Sequence, residues 1–428
     1  MGMIHNTSNM PQMMQYGLAF QHLLAVFAGT VFVPIVLGLP IPMALLFSGV
    51  ATLVFHYFTG GKIPLYLSSS FTILVGMAFI RKVCLDAGIQ DSLALSYVCL
   101  GVFVIGVIYL VIAQLLRFVS RERITRVFPP VLTGAFIMAL GIDMLFSTTY
   151  SIKTDWITGM ATVAAIVVAQ VFCKGTCRMM SINVGVVAGL AVACFRGGFN
   201  TDALLSVPYL AQPFDDNFMA FRVLEKIDMN LILTTVETVI PLALIAVGEH
   251  VSDMLAISRT TKIDYMRIVG LPRTLSANGL ATIMASVFGA PMNTPYTQTT
   301  GLIQLNRICD PYILRITAVA MIFLSFSPKV AALIGSIPIA VIGGITLVMY
   351  CMVIMVGWRT IGIVGNGRVE PRSLVIIITV LAISVGVKFL CDGGIQVGNT
   401  QLSSLTLAFV AGIILNLIIP GKQKRNAE

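Results

Sequence analysis

Glu249 and Asp253 lie four positions apart inside an apolar run, and they are the groups best placed in this chain to do chemistry. Of eighteen acidic residues, only these two, Glu237 and Asp143 fall within apolar segments. A spacing of four puts both carboxyls on one helix face. Nothing from Ile240 to Val247 supplies a cation to neutralise them. A carboxylate at mid-membrane costs at least ~2.5–3.5 kcal/mol unless it is paired, protonated or solvated in a cavity. The pair therefore reads as substrate-binding or proton-handling, against the alternative of hydrogen-bonded structural carboxylates. The structural reading is favoured for Glu237 and Asp143, which lie nearer segment ends. Of the four histidines, His22 sits beside Gln21 in the first apolar segment and suits a structural hydrogen bond or proton handling. His250 points about 100° away from Glu249 on a helix, and His5 and His56 read as incidental.

Two further stretches carry polar chemistry where lipid would otherwise be expected. They read KIPLYLSSSF at 62–71 and APMNTPYTQ at 290–298. Each combines proline, an aromatic and a hydroxyl cluster, which favours extended backbone over helix. Such backbone survives at membrane depth only when it is buried in protein or lines a cavity. Helices starting after Phe71 and Gln298 would aim free N–H groups and positive dipole ends into the centre. Phe71 and Tyr296 are positioned to stack on a flat ligand. Gln298 offers both a donor and an acceptor, and Thr297 and Ser70 stand beside these rings. A carboxylate accepting N–H groups, an amide reading a C(=O)–NH edge and two rings suit a planar nucleobase. The set contains no basic residue, which argues against an anionic substrate.

These residues need elements to hold them, and the composition says what kind. Over 428 residues, 57% of positions are hydrophobic, only 11% are charged and mean hydropathy is +0.94. A soluble chain would carry roughly a quarter charged residues. The apolar runs reach about twenty residues, long enough to cross a bilayer core as helix. This pattern excludes a soluble enzyme, a nucleic-acid binder and a disordered scaffold. Met1 to Gln15 is polar and unlike a cleavable signal peptide. The eight cysteines are scattered mostly in apolar runs and read as small buried hydrophobes. Cys173 and Cys177 come nearest to a metal spacing, but no histidine lies nearby; neither a metal nor a cofactor is expected.

Apolar segments fall at 16–37, 40–59, 71–81, 95–117, 128–149, 154–173 and 180–195. After a polar stretch they resume at 231–255, 270–289, 298–306, 311–328, 330–356, 374–390 and 403–420. Seven per half means that the second half enters the membrane upside down relative to the first, a recurring transporter architecture. The two broken stretches lie 227 residues apart, from Phe71 to Gln298, close to the half-length of 214. Placing both termini in the cytoplasm puts nineteen of the 27 basic residues inside and eight outside. The net charge of +9 is thus a topology signal, with anionic lipid as its expected polyanion.

Taken in order, Gln21–His22, the 62–71 stretch, Gly248–Glu249–His250 and Ser276 to Gly279 resemble the nucleobase–ascorbate transporters, in particular bacterial uracil permeases. Pro291 to Gly301, and Gly343–Gly344 followed by Tyr350, extend the resemblance, which spans about 16 to 420. It implies an all-α polytopic fold of fourteen segments in two inverted repeats, with short strands in segments 3 and 10. A core domain (16–127 and 231–328) would slide against a gate domain (128–230 with the linker, and 329–420). Cytoplasmic tails at 1–15 and 421–428 flank them. The resemblance also implies a homodimer in the cell membrane and symport with a proton, sodium being the other cation to consider. It carries the substrate glutamate onto Glu249, the aromatic against the base onto Phe71 and the site tyrosine onto Tyr296. A small residue beside the pocket falls on Gly29, and a gate-domain tyrosine on Tyr350.

Two positions depart from the uracil pattern. Uracil permeases tend to have histidine where this chain has Asp253 and glutamate where it has Gln298; carriers of xanthine and uric acid resemble this chain at both. Asn278 is instead uracil-like. The reading is a hybrid site favouring an oxidised purine, with uracil as the alternative. An anion exchanger sharing the fold is the rival from another class.

Overall fold

The computed structural model describes residues 3–8, 10–118, 130–174, 176–196, 207–214, 220–225, 227–362, 370–391, 394–397 and 400–419. The first half runs α1 (Gln12–Leu37), α2 (Ile41–Phe58), β1 (Leu67–Ser69), α3 (Leu74–Asp86), α4 (Asp91–Leu115), α5 (Pro130–Lys153), α6 (Trp156–Phe172) and α7 (Ser181–Phe195). The second half runs α8 (Met229–Thr261), α9 (Leu271–Val287), β2 (Asn293–Pro295), α10 (Thr297–Asn306), α11 (Pro311–Ser325), α12 (Ile339–Gly362) and α13 (Pro371–Leu390). A hairpin of β3 (Gly394–Val397) and β4 (Thr400–Ser403) then leads into α14 (Ser404–Ile418).

The apolar runs become helices because helix satisfies every backbone group within the segment, where lipid offers no partner. Among the described residues, five helices are each long and apolar enough to cross a bilayer: α1, α2, α4, α8 and α13. The protein is a multi-pass membrane protein. One expected segment differs from the structure. The run 330–356 is split into a short helix (Pro328–Gly335) and α12, and the short helix is bent by 82° from α11. Pro338 explains the split, since it lacks an N–H and disfavours helical backbone in the residue before it.

Helix packing repeats itself between the halves. α2 packs on α11 and α9 on α4; α1 touches β1 and α8 touches β2. Exchanging α1–α4 with α8–α11 maps each of these contacts onto the other. Small residues permit the closest approaches. A methyl group added at Gly106 of α4 would lie 3.0 Å from the Gly279 carbonyl oxygen of α9, and one at Gly279 3.0 Å from the Gly106 oxygen. α5 and α12 meet the same way, through Gly134 and Gly357.

The cysteines divide, against the expectation of uniform burial. Cys84, Cys99 and Cys309 are buried, whereas Cys194 and Cys351 are exposed on helix faces. In a membrane protein an apolar surface faces lipid, so a small hydrophobe needs no protein core around it.

Candidate substrate site

β1 and β2 come from opposite halves and pair antiparallel, with Leu67 opposite Pro295 and Ser69 opposite Asn293. The pairing continues beyond the strands: the Ser70 N–H donates to Met292 O (2.9 Å) and the Tyr296 N–H to Tyr66 O (2.9 Å). Extended backbone at this depth needs partners on its other side too. Thr52 of α2 supplies one, accepting from the Leu67 N–H at 2.9 Å. The Ser69 hydroxyl donates to Thr30 O (2.9 Å), and the Thr30 and Ser68 hydroxyls share a 2.5 Å bond. His56 is far from incidental: its buried ring holds Leu65 O at 2.9 Å. The hydroxyl-rich spelling of 62–71 is therefore mostly scaffold chemistry.

Glu249 lies on α8, where its carboxyl accepts a hydrogen bond from the Thr72 hydroxyl, which follows Phe71 in the opposite half. The Phe71 ring lies 6.0 Å from Tyr296 and 5.9 Å from Phe32. Phe32 stands 6.5 Å from Tyr350 of α12, edge to face. A row of four rings thus runs from the N-cap of α10 to α12. Gly29, one helical turn before Phe32, lets Tyr296 approach α1. A methyl group there would run into the Tyr296 hydroxyl and come within 2.8 Å and 2.9 Å of two ring carbons.

Asp253 is buried one turn beyond Glu249, and one carboxyl oxygen has no hydrogen-bond partner. Tyr109 of α4 lies within electrostatic range of both carboxyls, and its hydroxyl is likewise unpartnered. Asn278 is linked to Glu249 only indirectly, through its neighbour His250. Its amide contacts His250 Nδ1 at 3.4 Å, while His250 Nε2 contacts the Thr274 hydroxyl at 3.1 Å. His250 is thus a buried tie between α8 and α9, consistent with its pointing away from Glu249. Buried polar atoms left open beside two carboxyls are the kind of place where water or a ligand group completes the bonding.

The structure brings Glu249, Phe71, Tyr296 and Gly29 together and links Tyr350 to them through Phe32. His22 is buried in α1 with Nδ1 unpartnered, as is the Ser70 hydroxyl. The side chains of Thr297, Gln298 and Asp143 lie outside the described residues. In backbone, Thr297 and Gln298 open α10 with Tyr296 as its N-cap, and α3 begins at Leu74, so both helices start close to the expected positions. Sequence reasoning missed Thr72, Phe32 and Tyr109. Thr72 adjoins Phe71 in sequence, and Phe32 stands three residues from Gly29 on a shared helix face. Tyr109 had no local signal.

These features match a known group. The sequence profile of the Permease family matches residues 13–393. The chain belongs to the nucleobase–ascorbate transporter family. A probable uracil permease from Haemophilus influenzae is 31% identical over 430 residues, covering 98% of this chain and 97% of that one. The uracil permease of Bacillus subtilis is 27% identical, covering 96% and 93%. Both are permeases, and this family member is a transporter, not an enzyme. Among solved structures, the transmembrane domain of the cyanobacterial bicarbonate transporter BicA superposes with a TM-score of 0.61. That match has 12% sequence identity and covers 97% of this chain and 99% of that one, so the two share a fold.

Proposed function

We propose that the protein imports a nucleobase together with a proton, by elevator-type alternating access. The observation that carries this reading is the Glu249 carboxyl, held by Thr72 beside the Phe71 and Tyr296 rings where the two halves meet. A carboxyl accepting N–H groups next to flat apolar faces suits a ring with a C(=O)–NH edge and offers nothing to an anion. The bicarbonate transporter shares the fold alone, so it lends no weight to anion exchange.

The substrate is an oxidised purine, xanthine or urate, on the strength of Asp253 and Gln298. Uracil is the second reading, favoured by Asn278 and by the named uracil permeases among the relatives. The two-fold pattern of helix contacts supports fourteen segments in inverted repeats, with α1–α4 and α8–α11 as the core and α5–α7 and α12–α14 as the gate. The basic-residue bias supports cytoplasmic termini in the cell membrane, and the family resemblance implies a homodimer.

The core–gate surface gives a reason for proton coupling. Between α1 and the gate helices α7 and α12 lies a cavity of about 190 Å³, walled by Phe27, Val31, Phe32, Ile182, Val186 and Ile345. Sliding a bare carboxylate past such a surface would strip its water without replacement. A proton on Glu249 or Asp253 removes that cost. The test is uptake of labelled xanthine, urate and uracil by cells lacking their own carriers, with and without an uncoupler. Glu249→Gln is expected to abolish accumulation with expression intact. Concentrative uptake by that variant would overturn the coupling role, and uptake indifferent to the uncoupler would overturn the proton.

A further inference from the structure

A polar cavity of about 600 Å³ opens where α2 and α4 finish and α9 begins. Arg117 and Gln114 line it from the end of α4, and Arg273 and Ser276 from the first turns of α9. Phe58 and Leu110 form its apolar wall. Among the described residues neither arginine has an ion-pair partner, and the Ser276 hydroxyl oxygen is buried without a hydrogen bond.

The backbone adds to the positive potential. α9 is 17 residues long; a π-helical turn (Met266–Gly270) leads directly into it and Pro272 lacks an N–H, so its start offers the Arg273 N–H and a positive dipole end. The positive end of a helix dipole favours a phosphate-type anion beside the two arginines. Another basic cavity, around Arg259, Lys262 and Arg307, lacks this property. There the C-terminal ends of α8 and α10 arrive, and their free carbonyls attract the cations but oppose an anion. Of these two basic cavities, the one around Arg117 and Arg273 is where positive side chains and a positive helix end coincide.

Its rim says which anion. Tyr57, Phe118 and Ile268, each next in sequence to a wall residue, are 81%, 86% and 55% exposed. Large exposed apolar and aromatic residues beside arginines mark the level where hydrocarbon meets headgroups. A soluble phosphate would gain nothing from such a rim, whereas an acyl chain would cover it.

We propose that this cavity binds the phosphate of an anionic phospholipid, held by Arg117, Arg273 and the first turn of α9, with an acyl chain along Phe58 and Leu110. Basic pockets between membrane helices are suited to this role. The site lies apart from the substrate residues and does not depend on which base is carried.

The test is lipid retention by the purified full-length protein, read by native mass spectrometry in detergent after doping with phosphatidylglycerol or phosphatidylcholine. Wild type is expected to retain phosphatidylglycerol preferentially. Arg117→Gln or Arg273→Gln should weaken retention about fivefold each, and the double variant about thirtyfold, at the usual contribution per basic residue. The charge-matched pair Arg259→Gln/Lys262→Gln should retain the lipid as wild type does. Monodisperse elution of each variant shows that it is folded. Equal retention of phosphatidylcholine, unchanged retention by the double variant, or an equal loss in the charge-matched pair would each overturn the assignment. So would displacement of the lipid by millimolar inorganic phosphate, which would make the site one for the free anion.

Discussion

Replacing Thr72 with valine deletes one oxygen while keeping the β-branched shape, so it isolates the hydrogen bond to Glu249. Thr72 is buried, at 6% exposure, so water cannot readily stand in for the lost hydroxyl. A bond to a charged acceptor contributes about 1.5–3 kcal/mol, and one between neutral groups about 0.5–1.5 kcal/mol. At 1.4 kcal/mol per tenfold, the first range corresponds to roughly 12- to 150-fold in apparent affinity and the second to roughly 2- to 12-fold. If Glu249 carries the coupled proton when substrate binds, the smaller range applies. Thr72→Val should then raise KM for uptake by about 2- to 12-fold at similar expression, and Thr72→Ser should stay near wild type. The assay is initial-rate uptake of labelled base in carrier-deficient cells, with surface expression quantified in parallel. A valine variant with unchanged KM would refute the positioning role. So would a serine variant as impaired as valine, because packing of the methyl group would then be the cause.

Other outcomes follow from single contacts. Gly29→Ala would press Tyr296 out of its place; overpacking costs about 1–3 kcal/mol of stability, and KM should rise about fivefold or more. Melting the purified variant while measuring uptake separates the two effects. Gln298→Glu should move the competition profile towards uracil; an unchanged profile would remove Gln298 from the selectivity argument. Gly279→Val would push a side chain towards the Gly106 carbonyl oxygen and the Tyr109 side chain, lowering the unfolding free energy by about 1–3 kcal/mol. An unshifted melting curve would show that α4 and α9 can part at no cost.

Much of the architecture was legible in the sequence, because lipid leaves few choices. A run of apolar residues in hydrocarbon has to be helix, and proline-rich hydroxyl clusters such as 62–71 and 290–298 interrupt it wherever they fall. Glu249 stood out for a related reason: a carboxyl amid apolar residues needs a purpose or a partner. Pro338 shows the limit, since two helices and the turn between them are all apolar and hydropathy alone joins them.

Which groups meet Glu249 was decided only by the tertiary structure. Thr72 lies 177 positions away, and the two strands that bring the halves together pair across more than two hundred. Adjacency to Phe71 and Gly29 brings Thr72 and Phe32 near the site, but nothing local in the sequence marks Thr72 or Tyr109 as a neighbour of the carboxyls. The same holds for His56, which looked incidental and proved to support the strand that carries the site. Sequence alone determined that this is a multi-pass membrane protein, where its helices run and which rare polar residues need explaining. The fold determined which of those residues share a site, because contact across a helical bundle depends on faces and crossings that no local pattern records.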